Sequence, residues 1–271
     1  MRKLNGDEPG PTSIVLAGVH GDERCCVDAL LSVMADVGNI RGRVFYGFGN
    51  PRAIRSGVRY VEANLNRLFR DPASLTYGES RSYEYSRSTF LKKYLDQADA
   101  LLDLHASFTE NSSPFLICEA NSKGITEYLP ISMVVSGFDS VEPGGTDYYM
   151  NSIGKIGICA ECGYLGDPDS EKVARRTIMA FLRARGHITA PVVTRSQKHI
   201  RMRSLYLTRT DHFVLSKTFA DFEEIRNSEI IGTDGDTAIR AGRDSVILFA
   251  RNRNAVGEEA FLLGEITNSL T

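Results

Sequence analysis

His20 and Glu23 stand three residues apart in Gly18-Val19-His20-Gly21-Asp22-Glu23. The glycine between them permits a tight turn, so an imidazole and a carboxylate so spaced can face one cation. Taken alone, such a quartet is more often a surface loop. Far along the chain, Leu102-Asp103-Leu104-His105 offers a third ligand. Two histidines and one carboxylate form the protein ligand set of one class of catalytic zinc site, which keeps a position open and lowers the pKa of water to roughly 7. Asp103 is suited to orient a ligand histidine through its second ring nitrogen; its competing role is to satisfy a turn. Glu161, in Ala160-Glu161-Cys162-Gly163, ends an apolar run. An ionised carboxylate is costly there without a partner. A metal and its water would provide one, and so would a structural ion pair. Arg59, Asn66 and Arg67 lie in a polar, irregular stretch, residues 50–82. Arginine binds carboxylates bidentately through its planar fork. Leu65, Leu68 and Phe69 flank Asn66 and Arg67, which argues for partial burial and a fixed pose.

These residues need elements to hold them. The apolar run at 13–19 predicts a buried strand whose C-terminal end carries His20. Cys26, Val27, Leu30, Leu31 and Met34 follow at helical spacing, with Gly38 as the stop. Residues 43–48 predict a second strand, and a polar loop of about 30 residues, functional or disordered, is expected behind it. Phe90, Leu91, Tyr94, Leu95 and Ala98 mark the next helix. A strand at 100–104 ends on His105. Further strands are expected at 115–118, 131–135 and 156–160. Asp167-Pro168 predicts a capped helix start, and Gly186 the stop of that helix. Strands and helices alternate to about residue 190, which predicts an α/β sheet with covered faces. Beyond Pro191 short β-rich runs alternate with turns at Gly232, Gly235, Gly242 and Gly257, predicting a small all-β C-terminal domain over 191–271.

The 271 residues carry a net charge of −2, with both signs interspersed, so no global field draws the chain to nucleic acid or an anionic membrane. No stretch approaches the roughly 18–20 apolar residues of a membrane span. The opening Met-Arg-Lys is followed by Asp7, Glu8 and Pro9, and the short apolar run after them reads as a strand, not an export signal. The expected location is the cytoplasm. Five cysteines make a poor disulfide framework and fit a reducing compartment. Cys159 and Cys162 form a C-x-x-C, read as two cysteines on a buried strand because no second pair completes a four-sulfur site. His187, His199 and His212 are expected to be structural or at the surface. Tyr148 and Tyr149 suit either the pocket or loop packing.

Several of these motifs together resemble the succinylglutamate desuccinylase and aspartoacylase family, relatives of the zinc carboxypeptidases. The matching segments are G-V-H-G-D-E at 18–23, N-P-R-A at 50–53, R-Y at 59–60, L-N-R-L-F at 65–69, D-L-H at 103–105 and E-C-G at 161–163. Their order matches too, and G-T-D-G at 232–235 and G-E-E-A-F at 257–261 extend the resemblance to about residue 264. It implies a zinc-carboxypeptidase-like mixed sheet flanked by helices, a catalytic domain over 1–190 and one zinc per chain. It implies that His20, Glu23 and His105 bind that zinc and that Glu161 is the general base. Arg59 would stabilise the oxyanion, and Asn66 and Arg67 would hold the α-carboxylate of an N-acyl amino acid. The chain departs from the family in two places. Asn64 stands where an aspartate is frequent, and no arginine precedes Glu161 between residues 123 and 161, where aspartoacylases bind the side-chain carboxylate of aspartate. A substrate with a neutral or basic side chain is therefore expected.

The reading that unites these residues is a zinc amidohydrolase acting on small N-acyl amino acids. A metallocarboxypeptidase acting on a peptide or cell-wall fragment would use the same machinery, whereas a non-catalytic zinc-binding module needs a broken active site, and none of the core residues is missing. No nucleic-acid or membrane partner is expected; homo-oligomerisation is left open.

Overall fold

The computed structural model describes residues 1–270. Among them are the strands β1 (Arg2–Asn5), β2 (Glu8–Ala17), β3 (Arg41–Phe48), β4 (Ala100–Ser107), β5 (Phe115–Cys118), β6 (Met133–Ser136), β7 (Ile156–Tyr164), β8 (Lys198–Leu207), β9 (Phe213–Leu215), β10 (Glu223–Ile225), β11 (Ile230–Asp234), β12 (Thr237–Arg240), β13 (Ser245–Leu248) and β14 (Glu259–Thr267). One mixed sheet of 11 strands runs β1-β3-β2-β4-β7-β5-β6-β8-β14-β13-β10. Its centre, β3-β2-β4-β7, is parallel. β5 is antiparallel to β7, while β6 pairs parallel with both β5 and β8. The mixed α/β architecture expected from the sequence is therefore present. Strands from the C-terminal segment continue the central sheet through β8, β14, β13 and β10, and β9, β11 and β12 form a separate antiparallel sheet.

Why β2 reads as an unbroken apolar run is clear from its two faces. Val15 and Ala17 pack on Val27, Leu30 and Val33 of helix Arg24–Asp36 and on Ile178 and Phe181 of helix Ser170–Ala184. Ile14 and Leu16 pack the other way, on Phe45, Leu65, Phe69, Leu91 and Met150. All four β2 residues are fully buried, as parallel strands covered on both faces must be. Each fully buried Ile, Val or Leu side chain of this kind contributes about 1.5–3 kcal/mol, so the strand ends that carry the site are held rigidly.

Some boundaries differ from expectation. β4 and β7 run past His105 and Glu161, which lie within the ladder as direct neighbours. Helix Arg24–Asp36 ends on an extended Val37, so Gly38 is not its stop. Helix Ser170–Ala184 begins two residues after Pro168, because Asp167 accepts hydrogen bonds from the Asp169 amide and the Ser170 hydroxyl and closes a turn instead. Gly186 does take the left-handed conformation expected after that helix (φ 74°). The stretch at 50–82 is mostly short turns of helix, including Pro51–Ser56 and Leu65–Arg67. The next helix, Tyr83–Leu95, starts seven residues before Phe90. Its first turn holds the buried Glu84, whose carboxylate accepts from Asn50 Nδ2 and the amides of Val61, Glu62 and Ala63. A polar first turn leaves no apolar period to read, yet it fixes the loop bearing Arg59. Cys159 and Cys162 both lie on β7, but their side chains enter clusters on opposite faces; all five cysteines are free. No helix among the described residues is long and apolar enough to cross a membrane.

Candidate active site

The C-terminal ends of β2, β4 and β7 meet at one point, where the edge of a parallel sheet places ligands. Glu23 sits between two imidazoles. Its Oε1 is 2.7 Å from His20 Nδ1, and its Oε2 is 3.0 Å from His105 Nδ1. The three residues are buried, and their ligand atoms lie within 4.8 Å of one another. Each ring turns its other nitrogen to an oxygen: His20 Nε2 lies 3.1 Å from Asn64 Oδ1, and His105 Nε2 lies 3.2 Å from Asp103 Oδ2. Outer partners of this type fix which nitrogen a histidine offers to a metal. Asp103 is in turn held by the Thr146 hydroxyl at 2.5 Å. Asn64 was legible only as a departure from the family; the amide oxygen still gives His20 its acceptor.

The donor set fits a divalent cation. Burial pushes His20 down to about 4, so it is neutral and ligand-ready at pH 7. Burial also works against charge on His105, but Glu23 and Asp103 outweigh it and hold a proton on that ring well above the usual range. The same imidazoles hold Glu23 below the carboxylate range despite its burial. The cluster thus requires positive charge, which a metal supplies on displacing a proton. Glu23 Oε2 and His105 Nε2 lie at ion-pair distance from His105 Nδ1 and Asp103 Oδ2 without an aligned hydrogen bond to them.

Gly21 couples the turn to the Arg59 loop. Its amide donates to Arg59 O at 3.2 Å, and a Cβ would lie 2.1 Å from the carbonyl carbon of Ala53. Gly21→Ala should therefore displace one segment from the other. Overpacking of this kind costs about 1–3 kcal/mol, and melting temperature and bound metal should fall together; wild-type values for both would refute the coupling.

Glu161 lines the same pocket, beside His105 in the ladder. Burial pushes its carboxyl up to about 8 against the pull of His105, and Oε2 has no hydrogen-bond partner. Arg59 Nη1 is 3.5 Å from Glu23 Oε1. Asn66 lines the pocket with Oδ1 unpartnered. Arg67 lines it too, but is already engaged: Nε and Nη2 grip Glu259 at 2.7 and 2.9 Å, Nη2 also meets Glu142 at 2.5 Å, and Nη1 donates to Asn66 O. Tyr148 reaches the pocket, whereas Tyr149 donates to Asp96 at 2.7 Å. His187 is buried between Arg41 O and the Ser13 hydroxyl, a structural role. The sequence reading missed Glu142, Asp147, Phe249, Arg251 and Glu259, all in the pocket wall. Glu142 closes the short helix Phe138–Val141 and Asp147 stands in the first turn of the helix Thr146–Ser152, and the other three come from the C-terminal segment, where only pairing across the sheet reveals their place.

The mixed α/β fold thus places a buried two-histidine, one-glutamate cluster that could hold a metal ion beside an isolated carboxylate. The family model of the succinylglutamate desuccinylase/aspartoacylase catalytic domain matches residues 9–185, and this chain belongs to that family. A succinylglutamate desuccinylase of Pseudomonas putida is 34% identical over 98 residues, covering 35% of this chain but only 28% of that protein. One from Vibrio campbellii is 23% identical over 275 residues, covering 92% and 79%. The crystal structure of succinylglutamate desuccinylase from Vibrio cholerae superposes with a TM-score of 0.81 at 21% identity, covering 97% of this chain and 83% of that one.

Proposed function

We propose that this chain is a zinc-dependent amidohydrolase that cleaves the amide bond of a small N-acyl amino acid. The observation carrying this reading is the convergence of His20 Nδ1, Glu23 and His105 Nδ1 beside the unpartnered carboxylate of Glu161. His20, Glu23 and His105 would hold one zinc, which when bound supplies Lewis-acid activation of water and carbonyl. Glu161 accepts a proton from the attacking water and returns it to the leaving amine nitrogen. Arg59 donates to the oxygen that gains charge as the carbonyl becomes tetrahedral. Asn66 and the remaining N–H of Arg67 face the substrate's carboxylate end. Residues 1–190 carry the hydrolytic residues and residues 191–271 close the pocket, through Leu205, Phe249, Arg251, Glu259, Phe261 and Leu262. Five free thiols fit a reducing, cytoplasmic setting.

Metal removal tests this directly. Chelated protein should release no amine from a panel of N-acetyl and N-succinyl amino acids, and one equivalent of zinc should restore release. Faster turnover of dipeptides than of acyl amino acids would favour a carboxypeptidase. Zinc bound at one per chain with no turnover on either panel would sink hydrolysis.

A further inference from the structure

One guanidinium in the pocket wall has no hydrogen-bond acceptor among the described residues. Arg251 lines the pocket, with its guanidinium carbon 4.1 Å over the ring of Phe108. It forms no hydrogen bond or ion pair with any described side chain, and its Nε is buried without an acceptor. The neighbouring carboxylates, Glu142 and Glu259, are committed to Arg67. Burial, with Arg253 and Arg59 nearby, pushes Arg251 down to about 10, so it remains charged at neutral pH in surroundings that do not satisfy it.

The backbone around Arg251 is built to hold it there. Its amide donates to Ala260 O at 2.9 Å. Two residues earlier, Phe249 sits in the left-handed region (φ 57°), a strained conformation for an aromatic residue that persists only when its surroundings over-determine it. Asp221 does so: Oδ1 accepts from the Phe249 amide at 2.9 Å, and Oδ2 accepts from the Ser107 hydroxyl at 3.0 Å. Ser107 ends β4, two residues beyond His105. Asp221 therefore ties the Arg251 segment to the strand that carries a proposed metal ligand. Phe249 in turn packs on Phe108, at 5.4 Å between ring centroids, and so supports the ring on which Arg251 lies.

We propose that Arg251 binds a carboxylate of the substrate and is the specificity-determining cation of this pocket. The assignment rests on the N-acyl amino-acid reading and deepens it. A guanidinium on an aromatic face presents its fork at low entropic cost and matches a carboxylate bidentately. Arg67 cannot offer that fork, since one of its five N–H groups remains beyond the four already engaged. The carboxylate is either the α-carboxylate of the amino acid or a distal one, on its side chain or acyl group. A distal match would restore, from the C-terminal segment, an anion receptor that the sequence before Glu161 lacks.

The test is calorimetric titration of zinc-supplemented wild type, Arg251→Gln and Arg251→Lys with N-acetylalanine, N-acetylalaninamide, N-acetylaspartate and N-succinylalanine, with zinc content and melting temperature measured on each. Arg251→Gln should bind its cognate ligands about 10–100-fold more weakly, the weight of a lost charged hydrogen-bond pair, at unchanged zinc content. Arg251→Lys should fall between, and it carries the test if Arg251→Gln does not fold. A deficit on N-acetylalanine that is absent on its amide assigns the α-carboxylate. A deficit confined to N-acetylaspartate or N-succinylalanine assigns the distal one. Wild-type affinity of both variants for every carboxylate overturns the proposal, as does failure of wild type to bind any. Binding by wild type without amine release would leave Arg251 standing and sink hydrolysis.

Discussion

Glu161→Gln should keep the metal and lose about 10²–10⁴-fold in turnover, the range a positioned general base contributes. The substitution is nearly isosteric, which matters at a side chain only 7% exposed in the middle of β7. It removes the one property the proposed role requires, a carboxylate able to take a proton and give it back. The ligand residues should not suffer, because Glu161 hydrogen-bonds to none of them through Oε2, and a neutral amide adds no repulsion with Glu23. Metal content and melting temperature should therefore stay near wild type while kcat collapses and substrate affinity changes little. A parallel loss of metal and activity would make Glu161 part of the metal cage, and unaltered kcat would remove it from the reaction.

Much of this site was readable from residue types because it is built on strand ends. A strand end sets the backbone of its last residues within narrow limits, so Gly18 to Glu23, Asp103 to His105 and Glu161 come together once the parallel order β2-β4-β7 is formed. Long apolar runs made those strands legible, and the turn glycines made their ends legible. Two kinds of feature were not. Helix Tyr83–Leu95 begins with a buried carboxylate that serves the Arg59 loop, and a residue buried for its hydrogen bonds leaves no periodic signal. The wall formed by Phe249, Arg251 and Glu259 depends on β14 pairing with β8, and β8 with β6. Partners that far apart in the chain carry no local pattern. The same distance hides the engagement of Arg67 from any local reading: its acceptor Glu259 is 192 residues away.

That ion cluster supports the second large effect. Arg67→Met should destabilise the fold by about 3–5 kcal/mol, the cost of removing one partner from a buried charge cluster. Arg67 bridges Glu142, at the end of helix Phe138–Val141, and Glu259, at the start of β14, so its loss strands two carboxylates in the pocket wall. Glu259 is 30% exposed at the side chain, which places the cost toward the lower end. The pH dependence identifies the cause. In the wild type, burial pushes Glu142 up to about 8, while Arg67 overcomes the burial of Glu259 and holds it at about 2. Without Arg67 both carboxyls should titrate above their unfolded range near 4.5. The folded variant then binds more protons than the unfolded chain, and its stability falls as pH rises from about 4.5 to 8. The deficit against wild type should be greatest at pH 8 and shrink toward pH 5, and Arg67→Met combined with Glu259→Gln should recover part of it at pH 8. Denaturant midpoints at the two pH values decide the matter. A variant with wild-type midpoints and only a raised KM would instead make Arg67 a substrate ligand whose contacts to Glu142 and Glu259 contribute little to the fold.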